Sequence, residues 1–502
     1  MIMSLQHQQQ LATNREVASG LINLGNTCYA NAILQSLAHA PELCLAIELA
    51  PHLRICRHNI ATREKTTQQQ DNNTNSSSAS VNKKHEQQQQ QIQGETEDNE
   101  EEVCVLCEVE KHLMRVHAHA ASSVNDTAAS RMMLADTTTN TTTAVNTNKT
   151  TTTTLLSKQA AVVAVAPNAL LDQCLPKLAP VGTFRKGLQE DSHEFLRLLI
   201  DGMQRSCAPV VATKTTVTGD DNNDDVLGAA GSDGVEANVN ANATSEESSW
   251  SDSKAYSYMY PFQLFRGTIQ STVKCSNPAC QKVSSTMDPM EDVGLEVSDN
   301  TNADSVSGAL EAFIREEKLE GYKCEHCGCV GQATKVNKLA KVPPILTLHL
   351  KRFRYGASSS ISGMASNKRN SERSGKFKSG SAKIEGHIKF EEVFNIRNYL
   401  CSELQDQHRT MFCRLFAVVV HTGKNSHSGH YFAYVRNLVK NEWWKMDDAT
   451  VIPVSKDEVL DAEAYMLFYN VLNHPLSVQL KADQAQLALR EKNSQQQQQQ
   501  QQ

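Results

Sequence analysis

Gly20-Leu21-Ile22-Asn23-Leu24-Gly25-Asn26-Thr27-Cys28-Tyr29-Ala30-Asn31-Ala32-Ile33-Leu34-Gln35-Ser36-Leu37 begins as a glycine-bearing turn and runs into an apolar-periodic segment. Gly25 permits a tight backbone turn. Asn26 or Thr27 carries the side-chain oxygen that caps a helix start. Ile33, Leu34 and Leu37 share one helical face, and Pro41 marks the stop. Cys28 therefore falls in the first helical turn, where unpaired N–H groups and the helix dipole favour a thiolate. Two readings follow: a nucleophile, or a small apolar thiol buried at the start of a core helix. The first needs a base and an acid to orient it.

The far end of the chain offers both. Phe412 to Val420 is strand-like, Thr422 to Ser428 is a polar turn, and Gly429 to Arg436 is a second strand. Asn437 to Lys440 turns, and Asn441 to Met446 returns. If Arg436 pairs with Asn441, His430 lies opposite Asp447, with Cβ atoms about 4.5–5.5 Å apart. Adjacent strand residues face opposite ways, so Asp448 falls across from Gly429. A carboxylate in reach of an imidazole orients it and stabilises the imidazolium. His421, ending a strand, and His427, in a loop, face no carboxylate in this register. His349, within Val342 to Phe353, reads as a core residue with no carboxylate near it in sequence.

A second constellation has metal-ligand spacing. Cys275-Ser-Asn-Pro-Ala-Cys280 is followed, after 43 intervening residues, by Cys324-Glu-His-Cys327. Two close thiol pairs joined by a long segment suit a Cys₄ zinc site that ties two hairpins together. His326 and Cys329 are rival ligands. A structural zinc with four thiolates leaves no open position for water, so it would do no chemistry. Cys104 and Cys107 form a further Cys-x-x-Cys pair in a helical pattern from Val103 to Val116. No second pair follows at ribbon spacing, so they read as one helical face carrying two apolar thiols; the alternative is a zinc site shared with Cys56 and His58.

The chain has 502 residues, a net charge of −7 and 14 Cys. Thr-, Asn-, Ser- and Gln-rich segments near 61–102, 121–158, 210–253 and 356–381 read as low-complexity inserts. Residues 1–18 read as a polar, disordered start and 473–502 as a polar, Gln-rich tail with a short helix near Val478 to Leu489. The mild charge predicts no nucleic-acid partner. No apolar run approaches the ~18 residues of a membrane span, so no membrane is expected. No signal region is evident, so a reducing compartment, cytoplasm or nucleus, is the expectation.

These motifs also resemble those of a known family. Gly20 to Leu37 resembles the Cys box of the ubiquitin-specific proteases, which are papain-like cysteine peptidases. Gly429-His430-Tyr431 with Trp443 to Asp448 resembles the His box, Leu346 to Phe353 the family's Leu-x-Leu-x-Leu-Lys-Arg-Phe strand, and Cys275 to Asp292 its fingers. The first Cys pair departs in having four residues, not two, between its thiols. Gln189-Glu190-Asp191-Ser192-His193-Glu194-Phe195 resembles the box beside the cleft that helps hold the basic tail of ubiquitin. The resemblance implies an α+β fold of thumb, palm and zinc-bearing fingers over 19–472. It implies hydrolysis of the (iso)peptide bond after ubiquitin's C-terminal Gly, with ubiquitin and ubiquitinated proteins as partners. By resemblance, Asn23 is the oxyanion donor, Asp448 an auxiliary acid, and Gln189, Asp191 and Glu194 contact the ubiquitin tail. The alternatives are a non-catalytic ubiquitin-binding scaffold, or a peptidase for another ubiquitin-like modifier.

Overall fold

The computed structural model describes residues 17–49, 56, 104–118, 164–178, 187–207, 262–297, 304–354, 382–425, 428–437 and 440–500. The four expected inserts, His58 and His427 lie outside the described residues. So do residues 1–16 of the expected disordered start.

Helix α1 (Cys28–Ala38) stops short of Pro41, which opens α2 (Pro41–Leu49). Proline suits a first helical position, where its missing N–H costs nothing. Helix α3 covers 105–118 and α4 is Ser192–Cys207. Tyr29 of α1 meets Phe195 of α4 edge to face, with ring centroids 5.6 Å apart. These helices form the thumb.

Strands β1 (Gly267–Cys275), β2 (Val283–Met290), β3 (Val293–Glu296), β4 (Glu317–Lys323), β5 (Val330–Lys341) and β6 (Ile345–Lys351) follow, with helix α5 (Val306–Phe313) between β3 and β4. A four-stranded sheet in the order β2-β1-β5-β4 makes the fingers. The segment from Phe262 begins as a helical turn, Phe262–Phe265, ahead of β1.

The palm is an eight-stranded sheet. After the short pair β7 (Phe353–Arg354) and β8 (Ala382–Lys383) come β9 (Val393–Asn395), β10 (Phe412–Asn425), β11 (Ser428–Asn437), β12 (Glu442–Asp447), β13 (Thr450–Val454) and β14 (Ala464–Val471). The palm runs β13-β12-β11-β10-β14-β6-β3, with β9 added beside β10. Its middle strands are covered on both faces, which is why they read as near-continuous apolar runs. Phe416 and Val419 of β10 join the core under the thumb, whereas Leu415, Val418 and Val420 join the core on the other side.

Strand β10 runs past its expected end at Val420 and pairs Asn425 with Ser428. His421 is therefore inside a strand, buried and paired with Tyr431. The last helix, α6 (Pro475–Gln500), is longer than the expected short helix. Leu476 and Leu480 are buried, and Ser477 Oγ donates to Glu42 Oε1 of α2 at 3.0 Å, so its first turns belong to the folded body. No single described helix is long and apolar enough to cross a membrane.

Candidate active site

Helix α1 packs against β11, and that contact carries Cys28 to His430. The loop ahead of α1 is fixed by its own side chains. Gly25 has φ +96°, which a side chain would strain, and Asn26 follows at +56°. Asn23 Oδ1 accepts from Gly25 N at 3.0 Å, Thr27 N at 3.2 Å and Thr27 Oγ1 at 3.3 Å. Thr27 Oγ1 accepts from Leu24 N at 2.9 Å. Thr27 holds the cap position, but its hydroxyl serves the loop, so α1 has no side-chain cap, contrary to the sequence expectation. The first-turn N–H groups of α1 are thus left beside Cys28 without a capping oxygen.

With Oδ1 occupied by three donors, the Asn23 amide can point only one way, and Nδ2 donates to Asp448 Oδ2 at 2.9 Å. Asn31 Nδ2 donates to Asp448 Oδ1 at 2.8 Å. Leu21 N donates to the Asp448 carbonyl at 2.8 Å. Asp448 itself has φ +49°, a turn conformation between β12 and β13. Asn23, Asn31 and Asp448 therefore form one polar cluster beside the thiol.

His430 Nε2 lies 2.6 Å from Asp447 Oδ1. The His430 pKa is raised to about 9, first by a side-chain hydrogen bond with Cys28 and then by Asp447, against the opposing effect of burial. Since Nε2 faces Asp447, Nδ1 is the ring nitrogen that serves the thiol. Burial pushes the Asp447 carboxyl up, yet His430 and Lys445 together hold it below its ordinary value. Lys445 Nζ stands 3.0 Å from Asp447 Oδ2. The sequence reading missed Lys445, although residues two apart on a strand share a face.

The expected pair is present in a different register. Asn437 pairs with Glu442 and Arg436 with Trp443, so the hairpin is one residue longer on β11 and starts one later on β12. That is a slip of two, which preserves the face of every side chain. Asp447 reaches His430 diagonally instead of from directly opposite. Asp448 faces the Cys28 loop.

The box before α4 is used differently from expectation. Gln189 Nε2 donates to the Gly429 carbonyl at 2.6 Å, and Gly429 N donates to Gln189 Oε1 at 2.8 Å. Its amide is spent bracketing the backbone next to His430, not left open to a substrate tail. A Cβ at Gly429 would overlap the His421 ring and the Thr422 carbonyl, so only glycine fits there. Asp191 accepts from Tyr465 Oη at 2.8 and 2.7 Å and from His193 N at 2.7 Å. Glu194 is exposed, and burial followed by the nearby Asp191 and Glu190 charges raises its pKa. Of the three, Glu194 has the carboxylate most open to a basic ligand.

His349, expected in the core, is half-buried on β6, outside both core clusters, and burial lowers its pKa to about 3. A carboxylate does approach it in space: His349, His193 and Asp292 have ligand atoms within 4.8 Å of one another. The parallel pairing of β3 with β6 brings Asp292 there, which local sequence could not reveal.

In the fingers, Cys275 ends β1, Cys280 closes the following turn, and Cys324 and Cys327 sit between β4 and β5. Their four sulfurs lie within 4.8 Å of one another, with Cys280 and Cys324 3.8 Å apart. Thiolates roughly 2.3 Å from one tetrahedral ion stand about 3.8 Å apart, so the set fits a metal. His326 Nδ1 touches Cys280 Sγ at 3.6 Å from outside the set, and Cys329 is exposed, accepting from Asn277 Nδ2 at 3.4 Å.

Residues 19–469 match the family model for ubiquitin carboxyl-terminal hydrolase. The chain is 26% identical over 456 residues to human ubiquitin carboxyl-terminal hydrolase 42, covering 90% of this chain and 23% of that protein. It is 25% identical over 455 residues to the probable ubiquitin carboxyl-terminal hydrolase 16 of Schizosaccharomyces pombe, covering 90% of this chain and 66% of that protein. The chain thus spans less than two thirds of either relative. Its fold is similar to the SAGA Ubp8/Sgf11/Sus1/Sgf73 DUB module bound to ubiquitin aldehyde, with TM-score 0.50, 19% identity, and 94% of this chain and 71% of that one covered. A variant of the same SAGA DUB module, bound to monoubiquitin, gives TM-score 0.50 at 21% identity, with 94% of this chain and 71% of that one covered. With the family match spanning nearly every described element from the Cys28 loop to β14, this chain belongs to the ubiquitin carboxyl-terminal hydrolase family, in its ubiquitin-specific protease branch.

Proposed function

We propose that this chain is a thiol-dependent ubiquitinyl hydrolase, cleaving the (iso)peptide bond after the C-terminal Gly of ubiquitin. The observation that carries the reading is His430 hydrogen-bonded to Cys28 on one side and, at 2.6 Å, to Asp447 on the other. A raised imidazole beside a thiol at a helix start stabilises a thiolate–imidazolium pair. The Cys28 sulfur attacks the carbonyl carbon, and the developing oxyanion meets Asn23 Nδ2 and the first-turn N–H groups of α1. His430 then gives its proton to the leaving amine. Water attacks the thioester, with His430 now taking the proton, and the ubiquitin carboxylate leaves as the thiol returns. Asp447 orients the ring and stabilises its positive form.

A scaffold that only binds ubiquitin has no need of an intact Cys28, His430 and Asp447. Ubiquitin as substrate is supported by the family match and by the ubiquitin-bound modules to which the fold is similar. Glu194 is assigned to the basic tail, and Asp191 to holding the start of α4. We assign a structural zinc to Cys275, Cys280, Cys324 and Cys327; when bound it fastens the hairpins of the fingers and supplies no chemistry. A reducing compartment, cytoplasm or nucleus, suits the free thiols. Hydrolysis of a ubiquitin–fluorophore conjugate by wild type and not by Cys28→Ala supports the assignment. Cleavage of another modifier's conjugate in preference to ubiquitin's refutes the substrate.

A further inference from the structure

The short extended stretch that leads into Asn23 is gripped on two sides by segments remote in sequence. On one side Leu21 N donates to the Asp448 carbonyl at 2.8 Å. On the other, Leu21 forms a parallel bridge with Val165. Ile22 N donates to the Val165 carbonyl at 2.9 Å, and Val165 N donates to the Gly20 carbonyl at 2.8 Å. Val165 belongs to an apolar run, Ala160 to Ala166, that stops at Pro167. It is buried in the core that also holds Cys28.

We propose that Val165 is a positioning residue for the oxyanion donor Asn23, acting through its backbone. The assignment rests on the hydrolase reading given above. The loop from Asn23 to Thr27 fixes its own shape, because Asn23 Oδ1 and Thr27 Oγ1 accept from its amides. Shape does not fix place. One end of the loop is joined to α1, which carries Cys28. The other end continues from residues 20–22, so that stretch sets where the Asn23 amide stands relative to the thiol. A stretch bonded along one edge can swing about it, and a stretch bonded along both cannot. Gly20 shows how tightly the Asp448 side is packed: a Cβ there would stand 2.5 Å from the Ala449 carbonyl oxygen. The stretch therefore cannot move toward that turn, and Val165 keeps it from moving away. Precision of this kind matters, since a misplacement of about 1 Å can cost on the order of 10²-fold in rate.

The chain reaches Val165 by a long excursion. It leaves α3, where the Val116 carbonyl accepts from Ser19 N at 3.0 Å, and passes through the low-complexity segment near 121–158. It returns at Val165 to the neighbouring residues 20–22. Both ends of the excursion thus hold the approach to Asn23.

Val165→Pro tests this, because proline lacks the N–H that the Gly20 carbonyl accepts. Val165→Ala is its control, keeping both backbone bonds and losing only side-chain packing. Ubiquitin aldehyde is the probe. The Cys28 sulfur adds to its carbonyl, and the oxygen of the hemithioacetal sits where the oxyanion forms. Val165→Pro should weaken ubiquitin aldehyde about 10-fold and lower kcat on ubiquitin–fluorophore by a similar factor, part of the roughly 10²-fold that outright loss of an oxyanion donor costs. Binding of ubiquitin itself, KM, and alkylation of Cys28 by a small electrophile should stay within about twofold. Val165→Ala should resemble wild type throughout. An unchanged Val165→Pro, equal weakening of ubiquitin and its aldehyde, or the same loss of kcat in Val165→Ala overturns the proposal. Absence of hydrolysis in wild type overturns the hydrolase reading and this assignment with it, whereas the variants overturn the assignment alone. Hydrogen exchange on wild type does not depend on a variant folding. Ubiquitin aldehyde should slow exchange at 20–23 and 164–166 together, and more than ubiquitin does. Protection at 20–23 alone also overturns the proposal.

Discussion

Asp448 Oδ2 accepts a hydrogen bond from Asn23 Nδ2 at 2.9 Å across 425 positions of chain. In the proposed reaction, the second acid of the Asp447-Asp448 pair thereby holds the oxyanion donor, while the first holds the base. Adjacent residues facing opposite ways would then serve two halves of that reaction.

Asp448→Ala should therefore lower turnover of a ubiquitin–fluorophore substrate on the order of 10²-fold, the lower end of what losing an oxyanion donor costs. Alkylation of Cys28 by a small electrophile should stay within a few-fold of wild type. A parallel fall in both rates would assign Asp448 to the thiolate instead.

Asp447→Ala should show the complementary pattern. Without its carboxylate the imidazolium loses a partner, so Cys28 alkylation near neutral pH and substrate turnover should fall together. Lys445→Ala should have a weaker effect in the same direction, since Lys445 helps keep Asp447 ionised. Pre-steady-state alkylation rates across pH would separate the two.

The His430 pKa, raised to about 9, sets a pH dependence. The unfolded value is near 6.5, so the stabilisation from this group is fully present below about pH 6.5 and is lost as pH rises through about 9. The thermal stability gap between wild type and His430→Ala should narrow over that window. Turnover of an amide-linked substrate should fall above about pH 9, because the leaving amine then lacks its proton donor. A gap that widens with pH would contradict the assignment.

Much of this site was legible in the sequence, for physical reasons that can be named. Cys28 at a helix start, His430 and Asp447 on neighbouring strands, and the paired finger thiols follow from local pattern. The hairpin register was off by two, but period-two alternation makes an even slip harmless to the faces. What stayed hidden depends on contacts distant in sequence. Gln189 spans 240 positions to Gly429, Asn31 spans 417 to Asp448, and Asp292 nears His349 only through parallel strands. Thr27 misled because it offers a hydroxyl both to a helix cap and to the Asn23 loop, and the loop takes it.

Gln189→Ala gives a direct test of one such contact. Gln189 brackets the backbone beside His430, so its loss should lower kcat on ubiquitin–fluorophore more than it raises KM. A pure KM effect would restore the substrate-tail role.

Cys324→Ser/Cys327→Ser should release the finger metal and weaken labelling by a ubiquitin-sized probe, because the hairpins lose their clip. Cys28 alkylation by a small electrophile should be unaffected, as the fingers sheet is separate from the palm sheet carrying His430. Loss of both would mean that the fingers support the catalytic centre itself.

The most direct measurement is incubation with ubiquitin bearing a C-terminal electrophile, followed by mass mapping of the adduct. The adduct should sit on Cys28 alone, and should be absent in Cys28→Ala and strongly slowed in His430→Ala. An adduct on any other cysteine, with hydrolysis retained in Cys28→Ala, would contradict the Cys28–His430–Asp447 centre.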